Sequence, residues 1–202
     1  RFAEGPDRPV IARLHEVATH QRVWVSAASE ITALLADDAS IDVALQAVAD
    51  RARAVARADV AWVVTGSDPL NLHLEVVSGA PVDLQATRAL PLVESLASIV
   101  LRTHEALVVE DVGADPRAVD PSTVEGWPEL GPDMVLPLRS RRGVEGTLAL
   151  GWTHEDADAF HTLDTGPPSH FAEQATVALQ VARAREDRQR ITLYEDRHRI
   201  GL

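Results

Sequence analysis

The stretch that decides the fold is MVLPLRSRRGVEGTLALGW, residues 134–152. Its two apolar segments, 134–139 and 144–152, flank the polar turn Ser-Arg-Arg-Gly, which predicts a β-hairpin. Two further segments, DVAWVVT at 59–65 and LHLEVVS at 72–78, predict a second hairpin, and ALVVE at 106–110 predicts one more short strand. Because hairpins join antiparallel neighbours, these segments predict one antiparallel sheet.

Helical periodicity surrounds the hairpins. Apolar residues recur every three or four positions over residues 10–36, 41–57, 92–102 and from Ser169 onward, which predicts four helices. The stretch 111–133 contains four prolines and has no clear period, so we expect a long loop with short helical pieces. Residues 154–168 form an acidic connection into the last helix. Helices that flank an antiparallel sheet in this order predict an α+β fold with the helices gathered on one face.

The composition excludes several classes of function. The 202 residues contain no cysteine, which rules out disulfides, thiolate metal sites, thiol catalysis and thioether-linked chromophores. A formal net charge of −12 argues against nucleic-acid binding, which needs a basic face. No apolar run approaches the roughly 20 residues that cross a bilayer, so we expect no membrane partner and a cytoplasmic location. Because the chain starts with Arg1, we interpret it as a piece of a longer protein.

Residues with metal or catalytic chemistry do not form a recognisable motif. Eight histidines are spread along the chain, and none has the His-Glu-x-x-His spacing. The acidic run 154–158 with His161 could bind a metal if the loop folded back, but we interpret it as a solvated loop. No Ser-His-Asp set or glycine-rich phosphate loop can be assembled. The sequence therefore predicts no metal site and no catalytic role for this fragment.

A small-molecule pocket is the remaining candidate site. Large apolar side chains near the end of the long loop and on the strands could line a pocket between sheet and loop. The candidates are Trp62, Leu74, Trp127, Met134, Leu136, Leu148, Leu150 and Trp152. The alternative, that these side chains fill the space themselves, stays open. A ligand at this site is expected to be small and apolar or aromatic.

Several local segments carry a resemblance to a known family. They are ADVA at 58–61, SIVLRT at 98–103 before LVVED at 107–111, LPL at 136–138, GTLAL at 146–150 and FAEQA at 171–175. Their order and spacing resemble a GAF domain over nearly the whole chain. The resemblance implies a central antiparallel sheet with the N- and C-terminal helices on one face and a layer of loops and short helices on the other.

The two ends of the chain extend this resemblance. EDRHRI at 195–200 resembles the start of the dimerisation and phosphoacceptor helix of NarL/DegS-type histidine kinases. Together with QRVWVSAASEI at 21–31, it resembles the second, kinase-proximal GAF domain of actinobacterial DevS/DosT-type sensor kinases. This implies a two-component phosphorelay protein with an upstream sensor domain and an ATP-dependent kinase core, whose phosphoacceptor histidine follows Leu202. The implied boundaries are an incoming linker and helix at 1–22, the GAF domain at 23–184 and an outgoing helix at 185–202.

The departures from the family concern ligands. Haem in the related first GAF domain is held by a histidine at a position that corresponds to the vicinity of Gly131, where this sequence has none. The Asn-Lys-Phe-Asp-Glu signature of cyclic-nucleotide-binding GAF domains has no counterpart either. We therefore expect no haem or other cofactor.

The resemblance implies a regulatory function. The domain would form a homodimer through its terminal helices and pass a mechanical signal to the kinase core. Candidate residues for the dimer seam are Leu14, Ala175, Leu179, Ala182, Ile191 and Tyr194. The alternative is a sensor with a ligand of its own in the pocket between sheet and loop. A free-standing methionine sulfoxide reductase, a third class with this fold, depends on cysteines that this chain lacks.

Overall fold

The computed structural model describes the backbone of residues 7–36 and 39–200, with side chains over 18–34 and 39–185 and at Asp187 and Arg188. The elements in chain order are α1 (Asp7–Ala36), α2 (Ile41–Ala56), β1 (Val60–Thr65), β2 (His73–Ser78), α3 (Leu96–Thr103), β3 (Leu107–Val109), β4 (Asp133–Ser140), β5 (Gly143–Gly151), α4 (Ala157–His161) and α5 (Gly166–Ile200). Short 3₁₀ turns lie at Ala86–Ala89, Leu92–Glu94 and Val112–Ala114.

The strands form one antiparallel sheet in the order β2-β1-β5-β4-β3. The hairpin of β4 and β5 lies near its centre and closes with Ser140 paired to Gly143. Both predicted hairpins are present, so the predicted α+β fold is confirmed. No helix in the described part of the chain is long and apolar enough to cross a membrane.

One face of the sheet is covered by α2 and α5, and α1 packs on these two helices. Helix α5 packs on β4, and α2 packs on β1 and β2. The rings of Trp24 in α1 and Phe171 in α5 meet edge to face with centroids 5.4 Å apart. Several alanines of α2 and α5, among them Ala44, Ala49 and Ala172, are fully buried in this core. This face contains the main hydrophobic core.

Three of the predicted dimer residues belong to this core. Ala175, Leu179 and Ala182 are each at most 3% exposed and pack inside the domain. The dimer interpretation was wrong for them, because the same apolar stripe of α5 is already covered by the sheet and by α1 and α2. The side chains of Leu14, Ile191 and Tyr194 lie outside the described residues.

The other face of the sheet is covered by α3 and by irregular segments. Leu96 and Val100 of α3 pack on Val135 of β4 and Ala149 of β5 in a second, smaller core. The predicted helix at 92–102 begins instead at Leu96, because the Ser95 hydroxyl caps it by accepting a hydrogen bond from the Ser98 N–H (3.3 Å).

Two helix boundaries after β5 also differ from the predictions. The connection predicted at 154–168 contains the short helix α4, and α5 begins at Gly166 rather than at Ser169. The earlier start places Pro167 and Pro168 in the first turn, where a missing N–H costs no hydrogen bond.

Candidate ligand cavity

A cavity of about 80 Å³ lies between the sheet and the loop layer, on the face opposite α1, α2 and α5. Its floor consists of strand residues and its roof of residues from α3 and from the loops on either side. The floor residues are Trp62, Val64, Leu74, Asp133, Val135 and Ala149. The roof includes Leu90, Leu92, Leu96, Val112, Ala118, Trp127 and Leu130. The lining is predominantly apolar, which is the character of small-molecule sites in proteins.

The structure brings three of the predicted pocket residues together. Trp62 and Leu74 lie in the floor and Trp127 lies in the roof. The rings of the two tryptophans meet edge to face with centroids 5.2 Å apart. The indoles therefore close part of the space and line part of the cavity, and ligand binding at these residues stays a prediction.

The other predicted pocket residues lie on the opposite face of the sheet. Met134, Leu136, Leu148, Leu150 and Trp152 are buried in the core beneath α1, α2 and α5. Their assignment to the pocket was wrong, because successive residues of a strand point to opposite faces. Val135 and Ala149, which lie between them in sequence, are the residues that face the cavity.

Asp133 is an ionisable cavity residue that was not among the predicted pocket residues. It begins β4, two residues before Val135, and therefore shares the cavity face. The residue is 2% exposed, and its Oδ1 atom has no hydrogen-bond partner. Burial raises the pKa of the Asp133 carboxyl to about 8, and a hydrogen bond from the Met134 backbone opposes part of that rise. The sequence pattern that could have identified it is an acidic residue at the start of an otherwise apolar strand, two positions before Val135 and therefore on the same face of the sheet.

The roof is held by local hydrogen bonds of aspartates. Asp111, Asp115 and Asp120 each accept a backbone N–H two residues ahead, at 2.9–3.0 Å. The Val112 N–H also donates to the Gly131 carbonyl (2.7 Å), which joins the two ends of the loop. The stretch predicted to be irregular is therefore an ordered series of turns.

An outer depression of about 520 Å³ lies on the solvent side of the roof. It shares Ala118, Trp127 and Leu130 with the cavity, so these side chains form a wall between the two. Asp115, Asp120 and Glu129 make the outer depression more polar. Displacement of the shared wall would open the cavity toward solvent.

No histidine is among the described residues that line the cavity. In the described part of the chain, no group of three or more histidine or acidic side chains is placed to hold a metal ion. The His154 ring packs over Gly131, with its Nδ1 atom 2.7 Å from the position that a Cβ would take. His154 thus approaches the region that the resemblance assigns to the haem ligand, but it does not line the cavity. The expected absence of haem stays a prediction.

Comparison with known proteins places this architecture in a family. The profile of the GAF domain family matches residues 38–180. The GAF domain of a phosphoenolpyruvate-protein phosphotransferase from Coxiella burnetii aligns with a TM-score of 0.63 at 15% identity, covering 83% of this chain and 98% of that one. The GAF domain of a putative sensor histidine kinase from Pseudomonas syringae pv. tomato aligns with a TM-score of 0.54 at 17% identity, covering 88% and 96%.

The second GAF domain of DevS from Mycobacterium smegmatis is also similar, with a TM-score of 0.51 at 23% identity over 71% of this chain and 95% of that one. At these identities the structural likeness concerns the fold, whereas the family profile covers well over half of the chain. The chain belongs to the GAF domain family.

Proposed function

We propose that this GAF domain is the sensory and relay module of a cytoplasmic two-component histidine kinase, without catalytic activity of its own. The observation that carries the proposal is that the two faces of the sheet hold different structures. A cavity occupies one face, and both long terminal helices pack together on the other. The likeness to GAF domains of sensor histidine kinases supports the same function.

The path between the two faces is short. On β4, Val135 faces the cavity, while its neighbours Met134 and Leu136 face the helices. A displacement of the backbone at Val135 therefore reaches the surface on which α5 packs. Interiors packed at high density transmit such displacements instead of absorbing them.

Polar contacts join α5 to the sheet beyond the apolar core. Gln180 donates a hydrogen bond to Glu145 of β5 (2.8 Å), and Arg183 pairs with the same carboxylate at 3.3 Å. Glu145 follows the turn of the central hairpin, so a shift of that hairpin would move α5 near the point where it leaves the domain. The proposed signal is a change in the position of α5 relative to α1.

The exposed side of α5 is suited to a second copy of the chain. Val177 and Val181 are four residues apart, 56% and 44% exposed, and lie on the side of α5 opposite the buried Ala175 and Leu179. We therefore place the homodimer seam on these two valines instead of on the buried stripe.

Sedimentation equilibrium tests the seam. The double variant Val177→Glu/Val181→Glu places two charges in the proposed interface and is expected to weaken dimerisation at least tenfold, about 1.4 kcal/mol. The control Val43→Glu replaces a valine of α2 that is 51% exposed and should leave the dimer intact. A double variant as dimeric as the parent would show that the seam lies elsewhere.

The kinase connection has its own test. The coding sequence after Leu202 should continue into a Leu-His-Asp box and a kinase core. In that natural full chain, the Val177→Glu/Val181→Glu variant is expected to lower autophosphorylation from ATP, whereas Val43→Glu is not. A downstream sequence with no kinase would refute this part of the proposal.

A second candidate function, a small-molecule sensor, is favoured by the cavity itself. Toluene is a suitable probe because the lining is predominantly apolar. In a ¹H–¹⁵N NMR titration, the indole N–H signals of Trp62 and Trp127 should shift saturably, while that of Trp24 beneath α5 serves as the internal control. Shifts that do not saturate, or that include Trp24 equally, would argue against a binding cavity.

A further inference from the structure

Asp133 is unusual among the buried polar side chains. In the part of the chain that the structure describes, three buried side-chain atoms have no hydrogen-bond partner: Asp133 Oδ1, Thr147 Oγ1 and Trp152 Nε1. Asp133 alone of these three residues lines the cavity. A buried carboxyl oxygen without a partner is costly to the fold, so its presence calls for a compensating interaction.

Within the described part of the chain, the residues around Asp133 supply no positive charge. Among the residues that line the cavity, no other side chain is titratable and none is an arginine. Asp115, in the outer depression, shows the contrast: it is paired with Arg117 at 2.5 Å, which lowers its pKa to about 2. Arginine is common in this chain, with 19 residues, yet none of them lines the cavity beside Asp133.

We propose that Asp133 anchors a small apolar ligand that carries one basic nitrogen, of the pyridine, imidazole or aromatic amine class. The proposal rests on the cavity being a ligand site. The protonated carboxyl donates its O–H to the ring nitrogen, or the proton passes to that nitrogen and the carboxylate accepts the resulting N–H. In both forms the free oxygen gains a partner and the pair stays neutral as a whole.

A nitrogen base fits this site better than other polar ligands. The raised pKa of Asp133 keeps the acid protonated near neutral pH in the empty cavity, so an anion would leave a net charge there, whereas a nitrogen base forms a pair that is neutral as a whole. The predominantly apolar remainder of the lining selects an aromatic or aliphatic body for the ligand.

Access to Asp133 requires movement of the roof. Its Oδ1 atom exposes less than 1 Å² even toward the cavity, so water does not satisfy it. The Leu130 side chain lies against Gly151, the residue paired with Asp133 across the hairpin. Leu130 and Trp127 also form the wall toward the outer depression. Ligand entry from that depression would displace this wall and uncover the carboxyl.

A matched pair of probes tests the anchor. 4-Methylpyridine and toluene have the same shape and differ by one ring nitrogen, and isoquinoline and naphthalene form a larger pair. Binding of each is measured by NMR titration at pH 7 to the wild-type chain, to Asp133→Leu and to Asp133→Asn. Leucine keeps the branch at Cγ without a polar group, although it is larger than aspartate. Asparagine matches the volume of aspartate and keeps an N–H that can donate to the ring nitrogen.

In the wild type, the nitrogen-containing probe of at least one pair should bind about tenfold more tightly than its hydrocarbon partner. Asp133→Leu should reverse that order, because the nitrogen is then desolvated without a partner, and Asp133→Asn should retain part of the preference. Hydrocarbon binding with no nitrogen preference, unchanged in Asp133→Leu, would overturn the anchor and leave the cavity as a ligand site. If neither pair binds the wild type, the cavity proposal fails and this inference fails with it.

Discussion

The two faces of the sheet differ in how completely they are filled. On the helix side, large side chains such as Trp152, Leu136 and Phe171 are fully buried in one hydrophobic core. On the loop side, a smaller core surrounds an unfilled cavity with a carboxyl in its wall. One sheet thus supports a well-packed face, which supplies stability, and a partly empty face, which leaves room for a ligand.

The difference originates in the alternation of β5. Leu148 and Leu150 point to the helices, while Ala149 and Gly151 face the loop layer. An added Cβ at Gly151 would lie 2.7 Å from Leu130 and 3.2 Å from the Trp62 ring. The small residues allow the roof to approach at this end. The loop backbone makes its own turn hydrogen bonds and cannot collapse to fill the remaining space.

Replacing one leucine by alanine on each face should give the largest difference in unfolding free energy between the two faces. Leu136→Ala leaves a cavity in a fully buried site and should lower the free energy of unfolding by about 3–5 kcal/mol. Leu92→Ala removes a half-buried side chain beside existing free space, so a loss of about 1 kcal/mol is expected. Urea denaturation measures both, and equal losses would show that the two faces are packed alike.

The buried acid should make stability depend on pH. Because the folded-state pKa of Asp133 is about 8 and the unfolded value is near 3.8, the folded state holds one more proton between those values. The contribution of this protonated carboxyl to the free energy of unfolding is fully present below about pH 4 and is lost as the pH rises toward 8.

The variant Asp133→Asn isolates this effect, since all other groups titrate alike in both proteins. Relative to the wild type, it should gain on the order of 1 kcal/mol of unfolding free energy per pH unit from about pH 4 to 8. Parallel stability curves for the two proteins would mean that Asp133 is ionised in the fold, and that the loop face is wetter than described.

Removing a helix cap on each face should give the smallest difference in stability between the two faces. Ser95, at the start of α3 on the loop face, is buried, accepts from the Ser98 N–H and donates to the Leu92 carbonyl (2.6 Å). Ser40, at the start of α2 on the helix face, is exposed and accepts from the Val43 N–H (3.4 Å). Ser95→Ala should cost about 1–2 kcal/mol and Ser40→Ala about 0.5 kcal/mol in thermal unfolding. The reverse order would show that burial does not set the value of these caps.

Local patterns were enough to predict most of the elements. The hairpin at 134–152 was predicted because turn residues separate two β-rich segments, and α2 because apolar residues recur with a helical period over residues 41–57. The short helix α4 was missed, since its five residues, Ala157–His161, are too few to show a period. In the stretch 111–133 the four prolines indicate a loop with short helical pieces, but its closure by the Val112–Gly131 hydrogen bond is not visible in the sequence.

For the candidate site, the sequence identified the strands that form it but not which of their residues face the cavity. Alternation along a strand separates Met134 from Val135, but both are apolar, so the pattern does not say which of them faces the helices. The same ambiguity affected α5, whose apolar stripe could serve a core or a dimer until the packing of Leu179 was known.

By itself, the sequence determined the antiparallel hairpins, the helical segments and the absence of thiol chemistry, because these depend on neighbours along the chain or on composition alone. The tertiary structure decided which face each strand residue meets, that Ala175 and Leu179 are interior, and that Asp133 is buried without a partner. Burial and desolvation arise from residues far apart in the chain, since Asp133 is enclosed by β5, α3 and the loop between β3 and β4. For that reason the cavity, and the chemistry proposed for it, emerge only in the folded molecule.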